Sequence, residues 1–225
     1  MTTRKKFNTR RLVVLAMFCA LAYAVTLVFH IKVSFLTFDA KDAVICIAAM
    51  LFGPISGVIV AGVVATIEAL SVSDTGFWGW LMNFASTAVF AAVASGIYRH
   101  FKKMWSAVAG LAISVVVTTA VMLLLNLLVT PIYTNAPLET ILDLMPKLLF
   151  PFNLSKAVLN ASLVMLFYKP LSAALKKARV LPHEQDGHGY RLSWKSVCFM
   201  IASLALAIGC CVVLFVVLGG QFSLT

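Results

Sequence analysis

The chain has 225 residues, of which 62% are hydrophobic and 12% are charged, far below the roughly 25% charged residues of a typical soluble domain. Charge-free stretches of about 20 residues or more recur, which is the length that a helix needs to cross a bilayer. These features exclude a soluble domain, and the apolar runs are too continuous for the alternating strands of a membrane barrel. The formal net charge of +10 is interpreted as a signal of membrane topology and not as a nucleic-acid-binding surface.

Seven helices are predicted from the apolar segments. The first is interpreted as a retained transmembrane helix and not as a signal peptide cleaved near Ala24, because its apolar run continues to Phe29. The second is too short for a simple span and is predicted to tilt, to start earlier or to pack deep within protein. The approximate bounds are Leu12–Phe29, Ala43–Phe52, a third helix from the Gly53-Pro54 break to Leu70, Trp78–Tyr98, Trp105–Val129, Lys147–Tyr168 and Ser196–Leu218.

The distribution of charge predicts a cytoplasmic N-terminus. Basic residues cluster before the first helix, after the fourth, and between the sixth and the seventh, and the positive-inside rule places these segments in the cytoplasm. The C-terminus then lies outside, and the expected location is the cell membrane. Most of the acidic residues fall outside or near the outer face, namely Asp39, Asp42, Glu68, Asp74, Glu139 and Asp143.

Small residues on the first helix indicate a contact surface. Ala16, Ala20 and Ala24 recur every four positions, a spacing that lets another helix approach closely in lipid. Both internal packing and a partner subunit are compatible with this stripe. A second stripe lies on the third helix, where internal packing is the preferred interpretation, and comprises Gly57, Ala61, Ala65 and Ala69.

A lysine near the start of the sixth apolar run is the most informative single residue. Lys156 has no evident carboxylate partner in sequence, and Asn153 and Asn160 lie on the same helical face. An ionisable group within a membrane helix is costly and by default marks a ligand, ion or partner site. The alternative is that Lys156 extends to the lipid headgroups, since it lies only a turn or two inside the helix.

Other polar residues extend this pattern. The segment Leu36–Asp39 interrupts the apolar pattern after the first helix, and Asn83 and Asn126 lie within the fourth and fifth helices. Neutral hydrogen-bonding groups with one cation, set among aromatic residues, suit a planar organic molecule with polar edges better than a bare metal ion. Any one of these residues could instead hydrogen-bond a neighbouring helix.

Catalytic motifs are absent from the sequence. It contains no G-x-x-x-x-G-K-[ST] loop, so the chain cannot hydrolyse ATP in the P-loop manner, and neither H-E-x-x-H nor G-x-S-x-G occurs. His183 and His188 lie in the linker before the last helix, where a solvated loop is preferred over a metal site because no ligand spacing matches. The five cysteines lie in apolar segments and are interpreted as small buried hydrophobic residues.

Four segments resemble, in the same order, the riboflavin-specific substrate-binding (S) components of energy-coupling factor vitamin transporters. The resemblance covers about Arg11 to Lys176. Its asparagine and lysine positions are more particular to the flavin branch than its Phe-Gly-Pro turn. The segments are Leu36-Thr37-Phe38-Asp39, Leu51-Phe52-Gly53-Pro54-Ile55-Ser56-Gly57, Asn126 with Pro131 and Tyr133, and Pro151-Phe152-Asn153-Leu154-Ser155-Lys156.

The resemblance implies an all-α integral membrane fold with six transmembrane helices in an S-component core, residues 1–176, whose vitamin site is closed by the loop after the first helix. A cytoplasmic linker, residues 177–195, and an additional C-terminal transmembrane helix, residues 196–225, would follow. The implied ligand is riboflavin as a transported solute, with no cofactor and no metal. The residues expected to line the vitamin site are Leu36, Thr37, Phe38, Asp39, Asn83, Asn126, Asn153 and Lys156.

The resemblance also implies partner subunits. Ala16 and Ala20 match the alanine motif by which S components dock onto a transmembrane T subunit. Two cytoplasmic ATPase subunits would supply the energy, and docking would topple the S component so that its loaded site faces inward.

The third helix departs from the flavin branch and keeps alternatives open. Flavin members often carry a lysine and asparagines where this chain has Val64, Ala65 and Glu68. One alternative is therefore an S component for another vitamin or flavin derivative. The others are an integral membrane enzyme that uses the Lys156 face or the His183–His188 linker, and a structural subunit without a ligand.

Overall fold

A computed structural model of the chain describes residues 9–28, 30–33, 36–71, 76–101, 104–135, 137–177, 194–213, 216 and 221–222. Helices dominate this part of the chain. Their bounds are α1 Thr9–Val28, α2 Lys41–Phe52, α3 Pro54–Ser71, α4 Gly76–Phe101, α5 Met104–Thr134, α6 Leu138–Leu144, the π-helix Met145–Leu149, α7 Phe150–Lys177 and α8 Trp194–Val212.

Five helical segments of the described chain are long and apolar enough to cross a membrane. They comprise α1, α3, α4, α5 and the continuous run from α6 through α7. The prediction of a multi-pass membrane protein is therefore confirmed. The predicted count of six plus one is not reached by length within the described residues, because α2 has 12 residues and the apolar segment described in α8, Ile201–Val212, is also short.

Helix α2 lies at the centre of the bundle. It packs against α1, α3, α4 and α7, and of its first ten residues all except Val44 are buried. A helix that is apolar nearly all round is stable only inside protein or lipid. Of the options that the sequence left for this segment, the structure shows an earlier start, at Lys41 instead of Ala43, and deep packing.

A glycine turn joins α2 to α3. Gly53 has a φ of 101°, which residues with a side chain rarely adopt, and the Arg99 guanidinium occupies the space that a Cβ would need. Pro54 then begins α3, where its missing N–H is tolerated. Arg11 of α1 donates to the Phe52 carbonyl at 2.6 Å, which ties the first helix to this turn.

The predicted sixth helix is preceded by two short elements. The α6 helix and the π-helix occupy Leu138–Leu149, so that α7 begins at Phe150 and not at Lys147. Pro146 lies at the start of the π-helix. Single turns of π-helix are frequent at functional sites.

A small antiparallel sheet lies at one end of the bundle and was not predicted from the sequence. Its strand order is β2-β1-β3. Strands β1 and β2 form the hairpin that links α1 to α2, and the C-terminal strand pairs with the other edge of β1. The strands are β1 His30–Val33, β2 Leu36–Asp39 and β3 Gln221–Phe222.

The two stripes of small residues have different surroundings. On α1, Ala16 and Ala20 are exposed on the side opposite the buried face of the helix. On α3, Gly57 and Ala61 are buried, and a Cβ on Gly57 would collide with Ala49 of α2. Internal packing therefore accounts for the α3 stripe, whereas the α1 stripe faces outward.

Candidate functional site

A partly open cavity lies between the hairpin, α4, α5 and α7, with a volume of about 90 Å³. Its wall combines aromatic, aliphatic and thioether side chains with hydroxyl, amide and ammonium groups. This composition is typical of a site for a small organic molecule. The lining residues are Leu36, Thr37, Trp78, Gly79, Met82, Asn83, Ser86, Met122, Phe152, Asn153 and Lys156.

Five of the predicted binding residues meet at this cavity: Leu36, Thr37, Asn83, Asn153 and Lys156. The three-residue spacing on α7 places Asn153 and Lys156 on one face, as the helical period requires. Lys156 is 7% exposed, and its Nζ lies 3.3 Å from the Thr37 carbonyl oxygen. The lysine therefore faces the hairpin and does not extend to the lipid headgroups.

The other three predicted residues lie outside the lining. Phe38 packs into an apolar cluster with residues of α7 and α8, and Asp39 is fully buried behind the cavity. Asn126 is buried in α5, where its Nδ2 donates to the Met122 carbonyl at 2.7 Å and its Oδ1 accepts from Thr130 at 3.1 Å. It lies one helical turn from Met122, which does line the cavity.

Six lining residues were missed by the sequence analysis. The sequence of α4 does contain a pattern for three of them: Trp78, Met82 and Ser86 recur every four residues and so share one helical face. Nothing in the sequence distinguished this face from the other apolar faces of the same helix. The remaining missed residues are Gly79, Met122 and Phe152.

Five ionisable side chains form a buried charge cluster beside the cavity: Asp39, Lys41, Asp42, Glu68 and Lys156. Asp39 Oδ2 is shared by two lysines, at 2.8 Å from Lys41 Nζ and 3.4 Å from Lys156 Nζ. Lys41 Nζ is also 2.8 Å from Glu68 Oε2, an ion pair by distance whose geometry does not make a hydrogen bond. The carboxylate partner of Lys156 thus comes from a strand 117 residues away.

Asp39 lies in the strand between α1 and α2, outside the membrane-spanning helices, and is ionised at neutral pH. Burial alone would raise its pKa, but the ammonium groups of Lys156 and Lys41 outweigh burial and hold the pKa at about 2. Because this pKa is below its ordinary value, the stability that Asp39 contributes is present above that ordinary value and is lost as the pH falls toward 2. Asp39 is therefore charged throughout the physiological range.

Helix α4 connects the charge cluster to the cavity. Asn83 Nδ2 donates to Glu68 Oε1 at 3.4 Å while its side chain lines the cavity. The other two third-helix positions that depart from the flavin branch, Val64 and Ala65, are buried among apolar residues. Of the three departures, only Glu68 belongs to the charge cluster.

Asn160 fixes the start of α2. Ala40, which precedes α2, has no capping side chain. Asn160 Oδ1 accepts from the Ala43 N–H at 2.9 Å, and its Nδ2 donates to the Asp39 carbonyl at 3.3 Å. Helix α7 thus supplies the cap that α2 lacks, and this cap holds the junction of β2 and α2 against the cavity.

Replacing Asn160 with leucine is expected to destabilise the protein by about 1–3 kcal/mol, because a buried N–H and a buried carbonyl lose their partner. Thermal unfolding of the detergent-purified protein measures the effect. Ser162→Ala is the matched control, since Ser162 is buried on the same helix but bonds to the Val158 carbonyl within that helix. Equal destabilisation by the two substitutions would contradict the capping role.

Metal binding has no support within the described residues, which contain no group of three or more His, Cys, Asp and Glu side chains able to hold an ion. The His183–His188 linker lies outside the described residues, so its interpretation stays a prediction. Cys19 and Cys46 are free thiols, as are Cys210 and Cys211 of α8.

Three comparisons with known proteins agree with this architecture. The profile of the family described as "ECF transporter, substrate-specific component" matches residues 10–168. The riboflavin transporter RibU of Staphylococcus aureus (strain TCH60) is 31% identical over 192 residues, which cover 79% of this chain and 100% of that protein. The solved structure titled "Structure and mechanism of the S component of a bacterial ECF transporter" gives a TM-score of 0.65 at 29% identity, covering 76% of this chain and 99% of that one. The chain therefore belongs to the substrate-specific (S) components of ECF transporters, which are membrane-embedded transport proteins and not enzymes.

Proposed function

We propose that this chain binds riboflavin in the cavity beside the hairpin and delivers it across the cell membrane as part of an ECF importer. The observation that carries the proposal is the meeting of Asn83, Asn153, Lys156 and Trp78 at one cavity. The amide and ammonium groups suit the polar edge of a flavin, and the indole suits its flat face. The likeness to a riboflavin transporter along that protein's full length supports the same ligand.

The cavity has to enlarge to admit a molecule of this size. Its volume is about 90 Å³, whereas sites for small organic ligands usually hold about 300–1,000 Å³. The helices that line it are packed into the bundle, whereas the hairpin consists of two four-residue strands and is the smallest element of the lining. We therefore expect the hairpin to move when riboflavin enters, with Leu36 and Thr37 closing over it afterwards.

The predicted residues outside the lining have supporting roles in this proposal. Asp39 holds the Lys156 ammonium in place from behind, and Phe38 anchors β2 in the apolar cluster. Asn126 reaches the ligand by a side-chain rotation that gives up its bonds to Met122 and Thr130.

Lys41 bears on the choice of vitamin. Flavin members often carry a lysine and asparagines in the third helix, where this chain has Val64, Ala65 and Glu68. Here the ammonium group of Lys41 comes from α2 and lies against that glutamate. A lysine is thereby present beside α3, but it is paired with Asp39 and Glu68 and is not among the described lining residues, so the Glu68 departure does not by itself argue against a flavin ligand.

A ligand panel on the purified protein tests the proposal. Riboflavin is expected to bind with quenching of its fluorescence, whereas thiamine, biotin and other unrelated vitamins are not expected to compete. Asn153→Ala is expected to weaken binding about tenfold, the effect of losing one net hydrogen bond. The control is Asn135→Gly, which removes an exposed amide at a positive φ of 54° that glycine tolerates. Stronger binding of a different vitamin, or no flavin binding, would contradict the proposal.

We further infer the topology and the partners. The basic segments before α1, after α4 and between α7 and α8 favour a cytoplasmic N-terminus, so the hairpin and the cavity face outward. Within residues 1–176, the short buried α2 completes a core of six helices, and after the 177–195 linker α8 crosses as a seventh. A T subunit and two ATPase subunits are needed because the chain has no P-loop motif. The exposed Ala16 and Ala20 are the proposed contact with the T subunit.

A further inference from the structure

The C-terminal segment is not part of the family core. Helix α8 and strand β3 lie beyond residues 10–168, which the family profile matches. The riboflavin transporter that aligns over its full length covers 79% of this chain. The contacts of this segment indicate its role.

Helix α8 packs along α7 and reaches the base of the hairpin. Ala207 of α8 is buried in one apolar cluster with Phe38 of β2 and with Phe152 and Leu159 of α7. Leu36 packs against the same cluster. The hairpin is therefore held from the side of α8 as well as from the side of the bundle.

Strand β3 extends the hairpin into a sheet of three strands. Its two residues pair antiparallel with β1, Phe222 opposite Ile31 and Gln221 opposite Lys32. Strand β1 becomes the central strand, bonded on both edges. Since a two-stranded hairpin is marginal alone and a third strand stabilises it, β3 resists any movement of β1.

These contacts connect directly to the cavity. Leu36 and Phe152 belong both to the apolar cluster that contains Ala207 and to the cavity wall. A shift of α8 therefore moves two lining residues. The hairpin cannot swing away from the cavity unless β3 separates from β1 or α8 moves with it.

We propose that α8 and β3 act as a clasp that holds the hairpin over the cavity and thereby sets the rate at which the bound solute leaves. The identity of that solute, riboflavin, rests on the proposed function. In this proposal the C-terminal segment is a positioning element, because the segment contacts the hairpin and not the ligand. Its expected signature is a change in the rate of release that exceeds any change in the rate of capture.

Ala207→Phe tests the helical half of the clasp. The larger side chain overpacks the cluster and pushes α8 from the hairpin, so riboflavin release is expected to be about tenfold faster. Ala205→Phe is the matched control, because Ala205 lies two positions away on the exposed side of the same helix. Stopped-flow recovery of flavin fluorescence after dilution measures both variants of the full chain.

The strand half is tested by replacing Gln221 and Phe222 with proline together, which removes the backbone donors of β3 whichever of them bonds to β1. Release is again expected to quicken severalfold. Replacing the same two residues with alanine keeps the backbone donors and is expected to leave release within about twofold of the unmodified chain. These two strand variants do not alter the helical packing, so the comparison between them remains valid even if Ala207→Phe fails to fold.

A measurement without vitamin separates this proposal from the proposed function. In a Thr37→Cys reporter chain, labelling of residue 37 by a water-soluble maleimide, read by mass spectrometry, reports opening of the hairpin. Both clasp variants are expected to speed this labelling. Unchanged labelling and unchanged release overturn the clasp, whereas faster labelling in a chain that binds no flavin overturns only the proposed function.

Discussion

Replacing Lys156 with methionine is expected to weaken riboflavin binding by at least about 100-fold, the scale seen when one member of a buried, hydrogen-bonded charge pair is truncated. The substitution keeps most of the side-chain volume but removes an ammonium group that lines the cavity. Asp39 then loses one of the two lysines that share its Oδ2, so stability should also fall. Fluorescence titration measures the affinity, and thermal unfolding measures the stability.

Two further variants separate loss of binding from loss of folding. Asp39→Asn keeps the Lys156 ammonium at the cavity but takes the shared carboxylate from both Lys41 and Lys156, so stability should fall at least as far as in Lys156→Met while riboflavin affinity falls less. Lys147→Met is the control, because Lys147 is an exposed lysine that precedes α7 by three residues. Affinity within about threefold of the unmodified chain for Lys156→Met would show that this cavity is not the vitamin site.

Replacing Ala16 and Ala20 with phenylalanine is expected to abolish uptake and complex assembly while leaving riboflavin affinity unchanged. Both alanines are exposed, so two bulky rings are tolerated within the chain itself. They would block the close helix approach that small residues permit in lipid. Uptake by cells that express the whole transporter, and co-purification with the T subunit, measure the effect.

The matched control places the same two substitutions at Ala112 and Ala120, which are exposed alanines on α5. Uptake is expected to continue in that variant. If the α1 variant lost affinity as much as uptake, the stripe would be internal packing, which its exposure argues against.

The membrane-spanning helices were predictable because each is a long apolar run, and a run of that length has few alternatives in lipid. The small sheet was not. Its strands have two to four residues, too short for an alternating pattern to be distinguished from the surrounding apolar sequence. Strand β3 also pairs with a partner almost 200 residues earlier, a contact that local pattern cannot indicate.

The start of α2 was misplaced for a related reason. The predicted start, about Ala43, lies directly after the charged residues Lys41 and Asp42, and isolated charges are expensive in a membrane. In the structure they are buried, because Asp39 and Glu68 neutralise Lys41 and Thr87 donates to Asp42. Such compensation depends on residues from three other elements and is invisible in the sequence.

The candidate site was partly predictable. Helical spacing placed Asn153 and Lys156 on one face, and the structure places that face at the cavity. The partner of Lys156 was hidden because Asp39 lies 117 residues away, and Trp78 was hidden because its helix is apolar on several faces. Polar residues in lipid thus indicated where the site lies, but the walls that complete it were set by tertiary packing.

The central position of α2 bears on whether the chain can form a channel through the membrane. The cavity at the hairpin and the apolar cavity lined by Tyr98 and Tyr168 share no lining residue, and Ile45–Ala49 of α2 are buried in the core of the bundle. We therefore expect a solute in the first cavity to leave through the opening by which it entered. We likewise expect that the chain on its own does not act as a pore, and that cells that make it in excess keep their membrane potential.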